Sequence, residues 1–194
     1  MSLDIVKSNI CAAIKVKQKM LHDQKLMEKV VQLSEKCIDC IQNGGKIIFC
    51  GNGGSFADAQ HLSAEFTSRF LLDRPSLASL ALGTNNSAIT AIANDYGYEN
   101  IFSREIESIA NPIDIIIAIT TSGNSLNILE VVKVVKAKNL HLTVFTGSSL
   151  GKLPSDINTI NVPSNDTARI QECHILLGHI ICGMVEETLF DKIK

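Results

Sequence analysis

The feature that most constrains the fold of this chain is a regular alternation of short apolar runs with longer segments of helical periodicity. The apolar runs lie at residues 46–50, 76–82, 114–120, 140–147 and 157–163. Strands that are apolar on both faces and alternate with helices are typical of a parallel sheet covered on both sides. We therefore predict an α/β fold, a three-layer sandwich around a five-stranded parallel sheet.

The helical segments complete this pattern. Between and after the strands they are predicted at residues 55–70, 87–95, 99–110, 125–138 and 167–190. Residues 3–43 repeat apolar positions at three- and four-residue spacing, and a break near His22 and Asp23 would make them a helical hairpin that ends at Asn43-Gly44-Gly45. We predict a single domain over residues 1–194, with residues 1–43 as an N-terminal helical appendage.

Composition and charge exclude several classes of function. Lys and Arg number 18 against 20 Asp and Glu, and Trp is absent, which argues against a nucleic-acid partner. The N-terminal segment lacks the apolar core of a signal peptide, and the most apolar stretch, residues 113–119, is too short to span a membrane. Six cysteines without disulfide-framework spacing indicate reduced thiols, so we expect a cytoplasmic protein without a membrane partner.

Two loops are candidates for phosphate binding, because ligands of such sheets bind beyond the carboxyl ends of the strands. The glycines of "GNGGS" (51–55) would bring N–H groups near an anion at a helix N-terminus, although a tight turn capped by Ser55 explains this loop equally well. The loop "TTSGNS" (120–125) adds four hydroxyl groups within six residues, more than capping needs. Neither loop matches a nucleotide fingerprint, so we predict a sugar phosphate and no nucleotide cofactor.

Acid–base or metal chemistry is suggested by residues on two predicted helices. His61 and Glu65 are four residues apart and share one helix face, and the last helix carries Gln171, His174 and His179. Each group alone is more typical of a surface contact or a packed core histidine. Their presence beside a phosphate loop makes a catalytic role a competing hypothesis, and the sequence leaves open whether the two groups meet.

Four long segments of the chain carry a family resemblance. "GNGGSFADAQHLSAEF", "TAIANDYGYENIFSREIE", "TTSGNS" and "TARIQECHILLGHI" closely resemble the sedoheptulose-7-phosphate (phosphoheptose) isomerases of the SIS domain family. The resemblance implies a flavodoxin-like sheet and a homotetramer with active sites at subunit interfaces. It also implies conversion of sedoheptulose 7-phosphate to D-glycero-D-manno-heptose 7-phosphate, the first step of heptose synthesis for lipopolysaccharide or capsule.

The resemblance assigns roles by position. Residues expected to line the substrate site are Asn52, Gly53, Gly54, Ser55, Glu65, Asn94, Asp95, Thr120, Thr121, Ser122, Ser125 and Gln171. Residues at positions that bind zinc in some members are His61, Glu65, Gln171 and His179. Glu65 and His179 would form the acid–base pair. Because Gln171 and His179 would lie about 12 Å apart along a straight helix, one ion reaches both only through strong leaning, helix distortion or a second subunit.

Three positions depart from the family pattern. Thr120 stands where Ser is common, and Gly83 and Asn85 fall within "LGTNN", which replaces a more usual Leu-Thr-Thr-Asp-Thr. Thr120 retains the hydroxyl group, whereas the sequence leaves open whether the loop at 82–86 contacts the substrate.

Two other functions are compatible with the scaffold. One is a non-catalytic SIS-domain regulator that binds the bacterial replication initiator, a group in which the residues matching Glu65 and His179 are lost. The other is an enzyme or sensor for amino-sugar phosphates, which usually differs in its lysine or glutamate signatures. The presence of both Glu65 and His179 favours the isomerase.

Overall fold

The computed structural model describes residues 2–190. Its helices are α1 (Leu3–Leu21), α2 (Gln24–Gln42), α3 (Gly54–Thr67), α4 (Asn86–Tyr96), α5 (Ile101–Ile109), α6 (Leu126–Lys138) and α7 (Thr167–Phe190), with a 3-10 turn at Tyr98–Asn100. Its strands are β1 (Ile47–Gly51), β2 (Ser79–Ala81), β3 (Ile115–Ile119), β4 (His141–Thr146) and β5 (Asn158–Asn161). Met1 and residues 191–194 of the predicted domain lie outside the described residues.

The strands confirm the predicted sheet. Within residues 2–190, five strands pair in parallel in the order β2-β1-β3-β4-β5, which is the flavodoxin-like order. β2 is shorter than the predicted run at 76–82, because the N–H of Leu77 donates to the carbonyl of Phe66 at the end of α3 instead of to the sheet.

The two faces of the sheet pack against different helices, as the predicted three-layer sandwich requires. Phe49 and Ile117 belong to a core shared with α2, α3 and α7. Ile48 and Ile116 point to the other face and belong to a core shared with α5 and α6. Because successive side chains of a strand alternate between faces, strands that are buried on both sides read as continuous apolar runs.

The N-terminal hairpin forms where the sequence predicts it. α1 ends at Leu21 and α2 begins at Gln24, and the Asp23 side chain caps α2 by accepting a hydrogen bond from the N–H of Leu26 at 3.0 Å. α2 contributes Leu33 and Cys37 to the core, whereas most of α1 is exposed.

The strand order places the two candidate loops side by side. β1 and β3 are neighbours, and Gly51 at the end of β1 pairs with Ile119 at the end of β3. α3 follows β1 onto one face of the sheet, and α6 follows β3 onto the other. The loops therefore open the crevice at a topological switch point, where α/β sheets bind their ligands.

α7 is long and apolar, with a mean hydropathy of 1.3 over its most apolar window, so by length and composition it could cross a membrane. However, Ile170, Leu177 and Val185 lie in the core together with side chains of α2 and α3. This packing is typical of the central helix of a globular domain, and we interpret α7 in that way.

His174 of α7 is a core histidine. Its side chain is fully buried, its Nε2 donates to the carbonyl of Thr146 at 3.2 Å, and its ring lies against Phe145. Burial lowers the pKa of His174 from 6.5 to about 4, although the bond to Thr146 opposes the change. The folded protein therefore holds this ring neutral at pH values where the unfolded chain protonates it.

We expect this histidine to weaken the fold in acid. As the pH falls from 6.5 to about 4, the unfolded state binds a proton that folded His174 excludes. The free energy of unfolding should drop by ~3 kcal/mol over that range from this group. Urea unfolding at a series of pH values should give a shallower decline for His174→Gln than for the wild type. His141→Gln, at an exposed histidine, serves as the control, and an unchanged slope in His174→Gln would contradict the assignment.

Candidate active site

The turn after β1 is built for close approach of another group. Gly53 has φ 55°, a conformation that side chains disfavour. A Cβ on Gly51 would lie 2.6 Å from the carbonyl oxygen of Ser55, and one on Gly54 would lie 2.4 Å from Nε2 of Gln171. Gly51 and Gly53 therefore allow the tight turn. Gly54, the first residue of α3, leaves room for the amide of Gln171.

The loop after β3 presents hydroxyl groups that capping does not use up. Thr120 is buried, and its Oγ1 accepts from the N–H of Gly123 at 3.3 Å. Ser122 Oγ accepts from the N–H of Asn124 at 3.2 Å. Ser125 occupies the N-cap position of α6 without a side-chain capping bond. Thr121 is partly exposed beside them, so this loop offers several hydroxyls at a helix N-terminus.

A reciprocal pair of amides joins the two loops. Asn52 Nδ2 donates to Asn127 Oδ1, and Asn127 Nδ2 donates to Asn52 Oδ1, both at 2.8 Å. Asn127 is buried in α6, and the hydroxyl of Tyr98 donates to Asn52 Oδ1 at 3.3 Å. These bonds fix Asn52 between the loops. The roles of Asn127 and Tyr98 were not predicted, because neither residue follows a strand directly.

The acid–base candidates do meet in space. His61 Nε2 lies 2.9 Å from His179 Nε2 and 3.1 Å from Glu65 Oε1, although 118 residues separate the two histidines. The side chain of His61 is half exposed and that of Glu65 is one-fifth exposed, so small molecules can reach the cluster. His61, Glu65 and His179 are called the catalytic cluster below, after the role that we propose for them.

A glycine allows α3 and α7 to bring the cluster together. Gly178 directly precedes His179, and a Cβ at this position would lie 2.5 Å from Leu62, which directly follows His61. The missing side chain lets the helices approach closely at the very residues next to the histidines. Glycine inside a helix is otherwise destabilising, so Gly178 is a signal that the sequence offers for this contact.

Asp58 lies one turn before His61 on α3. Burial raises the pKa of its carboxyl group above the usual value, and the neighbouring His61 opposes the rise. Within residues 2–190, its Oδ2 is buried without a hydrogen-bond partner. Asp58 is therefore a further ionisable residue beside the catalytic cluster.

The catalytic cluster also fits a metal ion. One ligand atom from each of its residues lies within 4.8 Å of the others. Two imidazole nitrogens and one carboxylate oxygen are the donors of catalytic zinc sites that keep a fourth position open. Since Gln171 lies against Gly54, at the start of α3, its role as a further ligand stays a prediction.

Comparison with known proteins places the chain in a family. Residues 12–147 match the model of the SIS domain. A phosphoheptose isomerase from Aneurinibacillus thermoaerophilus is 48% identical over 188 residues, which cover 96% of this chain and 95% of the relative. The chain belongs to the phosphoheptose isomerase family. Phosphoheptose isomerase 2 from Campylobacter jejuni is 46% identical over 188 residues, with 96% of this chain and 94% of the relative covered.

Solved structures of the phosphoheptose isomerase family share the fold. The enzyme from Neisseria gonorrhoeae has a TM-score of 0.86 at 40% identity, covering 95% of this chain and 98% of that one. The enzyme from Francisella tularensis has a TM-score of 0.90 at 34% identity, covering 96% and 99%. These matches span essentially the whole chain, so the fold prediction is confirmed along its length.

The remaining residues carried over from the phosphoheptose isomerase family lie on the exposed α4. Asn94 Nδ2 donates to Asp95 Oδ1 at 2.7 Å, and both residues are exposed. The departures at positions 83 and 85 have local roles. Gly83 has φ 84° and donates its N–H to Glu105 at 2.6 Å, and the Asn85 side chain caps α4. This loop therefore uses its unusual residues to build a turn and a helix start.

Proposed function

We propose that this chain is a phosphoheptose isomerase, converting sedoheptulose 7-phosphate to D-glycero-D-manno-heptose 7-phosphate. The observation that carries the proposal is the catalytic cluster of His61, Glu65 and His179, found in a chain 42–48% identical to curated phosphoheptose isomerases. A carboxylate beside two imidazoles supplies the base and the proton carrier that an aldose–ketose isomerisation needs. Retention of Glu65 and His179 is what disfavours the regulator of the replication initiator.

In the proposed mechanism the substrate reacts as an open chain. Glu65 removes a proton from C1, the electrons form a cis-enediol, and Glu65 returns the proton to C2. His179 moves the hydroxyl proton of O1 to O2, so that the ketone at C2 becomes an aldehyde at C1. The phosphate on C7 is held by Thr120, Thr121, Ser122 and Ser125, with Asn52, Gly53, Gly54, Ser55 and Gln171 lining the turn beside them. Binding energy at the phosphate thereby places C1 beside the base.

Asn94 and Asp95 are proposed to bind sugar hydroxyls in the middle of the chain. Their side chains are exposed on α4 and are hydrogen-bonded to each other, so both could bind the same sugar. Tyr98, between α4 and α5, reaches Asn52 and ties this segment to the phosphate turn.

The proposed assembly is a homotetramer with active sites at subunit interfaces. Glu65 lies eleven residues after Gly54 on α3, about 16 Å along the helix, which is further than an open heptose phosphate extends from C1 to its phosphate. A subunit interface would resolve this, because the loops at 51–55 and 120–125 of one copy could then bind the phosphate beside the catalytic cluster of another copy. Exposed apolar side chains on α1, such as Ile10 and Ile14, and an apolar groove of about 340 Å³ lined by α1, α2 and α7 support burial of this surface.

We propose zinc as the metal of the catalytic cluster, held by His61, Glu65 and His179. Gln171 of the same chain lies against Gly54 at the far end of α3, so as a further ligand it would come from a second subunit. When bound, zinc would polarise the carbonyl of the substrate. Protein purified with supplied zinc should contain about one ion per subunit by elemental analysis, and His61→Asn should bind it at least about tenfold more weakly. His22→Asn, at an exposed histidine on the hairpin, should retain zinc. Equal zinc content in His61→Asn and the wild type would overturn the site.

The proposal extends to the setting of the reaction. We propose a cytoplasmic biosynthetic enzyme that acts as one domain on a sugar-phosphate substrate and has neither a membrane nor a nucleic-acid partner. The product would supply heptose for lipopolysaccharide or capsule.

The direct test is incubation of the purified protein with sedoheptulose 7-phosphate. Nuclear magnetic resonance should detect the aldose phosphate, and in deuterated water the exchanged proton should report the enediol. Binding of the replication initiator without any turnover would instead favour the regulator. Turnover of amino-sugar phosphates alone would favour the third function.

A further inference from the structure

A buried ion pair lies at the point where α3 ends and α7 passes beneath it. Arg74 Nε donates to Glu186 Oε1 at 2.9 Å, and both side chains are only 2% exposed. Charges removed from water in this way are tolerated only when further hydrogen bonds satisfy them. These two residues are called the Arg74–Glu186 clasp below. Their further hydrogen bonds go to backbone N–H and carbonyl groups near the catalytic cluster.

Glu186 uses its remaining acceptor capacity on one short segment. It accepts the N–H groups of Phe70 at 3.0 Å, Leu71 at 2.6 Å and Leu72 at 2.9 Å. With Arg74, four donors converge on a single carboxylate, which fixes the path of the chain immediately after α3. A carboxamide would lose this fit, because its NH₂ group would face N–H donors.

Arg74 also donates to the end of α3. Its Nη2 donates to the carbonyl of Glu65, and its Nη1 donates to the carbonyl of Phe66, each at 2.8 Å. The last carbonyls of a helix have no partner within the helix, and a guanidinium that binds two of them closes the helix end. The backbone of the proposed catalytic base is therefore held directly by the clasp.

The segment bound by Glu186 reaches the other half of the catalytic pair. The ring of Phe70 stacks on the imidazole of His179, with centroids 5.4 Å apart and planes inclined by 27°. Glu186 and His179 both belong to α7, seven residues apart, which is two turns of one helix face. One buried carboxylate thus holds a backbone whose side chain packs against His179, while its partner Arg74 holds the backbone of Glu65.

We propose that Arg74 and Glu186 are positioning residues for the isomerisation, which set the separation and orientation of Glu65 and His179 without touching the substrate. The inference rests on the proposed function of the catalytic cluster. Displacements of about 1 Å in a reacting group lower rates strongly, so disturbing the clasp should act on turnover. Substrate affinity should change little, because neither Arg74 nor Glu186 makes a hydrogen bond to the loops at 51–55 and 120–125.

The test is Glu186→Gln, measured by steady-state kinetics with sedoheptulose 7-phosphate. We expect kcat to fall at least tenfold, with KM within twofold of the wild type. Arg74→Lys is the second variant and should behave in the same way, since an ammonium cannot bind both α3 carbonyls and the carboxylate in the geometry of a guanidinium. If Glu186→Gln does not fold, Arg74→Lys alone serves as the test.

Asp114→Asn is the matched control. Asp114 is a buried carboxylate that accepts the N–H groups of Lys46 at 2.9 Å and Asn111 at 2.7 Å, as well as the Lys46 ammonium group. It precedes β3, at the edge of the sheet opposite the phosphate loops. Asp114→Asn should lower the melting temperature as Glu186→Gln does, while keeping kcat within twofold of the wild type.

Each outcome decides the matter. A kcat within twofold of the wild type in folded Glu186→Gln or Arg74→Lys would overturn the positioning role. A loss of kcat in Asp114→Asn equal to that in Glu186→Gln would overturn it too, because the effect would then follow stability alone. A wild-type protein that does not convert the substrate would remove the proposed function, and this inference with it.

Discussion

Glu65→Gln is expected to lower kcat by about 10²–10⁴-fold, the usual contribution of a positioned general base. Glutamine keeps the shape of the side chain and loses the ability to take a proton from C1. His61 lies 3.1 Å from Glu65 Oε1 and can still donate to an amide oxygen, so the local fold should survive. The measurement is formation of the aldose phosphate at saturating sedoheptulose 7-phosphate, together with loss of proton exchange into deuterated water.

Glu130→Gln is the control for this substitution. Glu130 lies on α6, where it pairs with the exposed Lys133, outside the catalytic cluster. This variant should keep the kcat of the wild type. A folded Glu65→Gln protein that binds substrate and retains full turnover would remove Glu65 from the role of base.

Gly123→Ala is expected to disable the loop at 120–125, which we propose binds the phosphate of the substrate. Gly123 has φ 67°, and a Cβ at this position would lie 2.1 Å from the carbonyl oxygen of Leu150. Because that oxygen belongs to the backbone, the loop must shift, and the hydroxyls of Ser122 and Ser125 would move with it. KM should rise about 10- to 100-fold for each charge-assisted hydrogen bond lost to the phosphate. Steady-state kinetics and titration with inorganic phosphate measure the effect.

Gly44→Ala separates backbone strain from loss of the loop. Gly44 also has a positive φ of 82°, but nothing lies within 4 Å of the site of its Cβ, and it ends the N-terminal hairpin. This variant should lose about 1–2 kcal/mol of stability from the strained backbone and keep its KM. An unchanged KM in folded Gly123→Ala would contradict phosphate binding by this loop.

The fold was predictable because its determinants are local. Strands apolar on both faces, helices with three- and four-residue spacing and the stop at Asn43-Gly44-Gly45 each act within one element. The same holds for the loops at 51–55 and 120–125, since residues that follow adjacent parallel strands must lie at one edge of the sheet.

The meeting of distant side chains was not predictable from pattern alone. The contact of His61 with His179 depends on how closely α3 and α7 approach, and the absence of a side chain at Gly178 permits that approach beside Leu62. Arg74 gave even less signal, because it lies in an irregular segment and its partner Glu186 follows more than a hundred residues later. Family resemblance supplied candidate residues, but only packing shows which of them touch.

The reciprocal amides of Asn52 and Asn127 have a consequence for the energetics of catalysis. They fasten the loop after β1 to the first turn of α6, directly behind the loop after β3, so both loops are already restrained before any ligand binds. In the proposed function, the phosphate of the substrate then binds a site that is already ordered, and little of the binding free energy is spent on immobilising the loops. More of the free energy of binding the phosphate is then available to hold C1 and C2 of the sugar in place for the reaction.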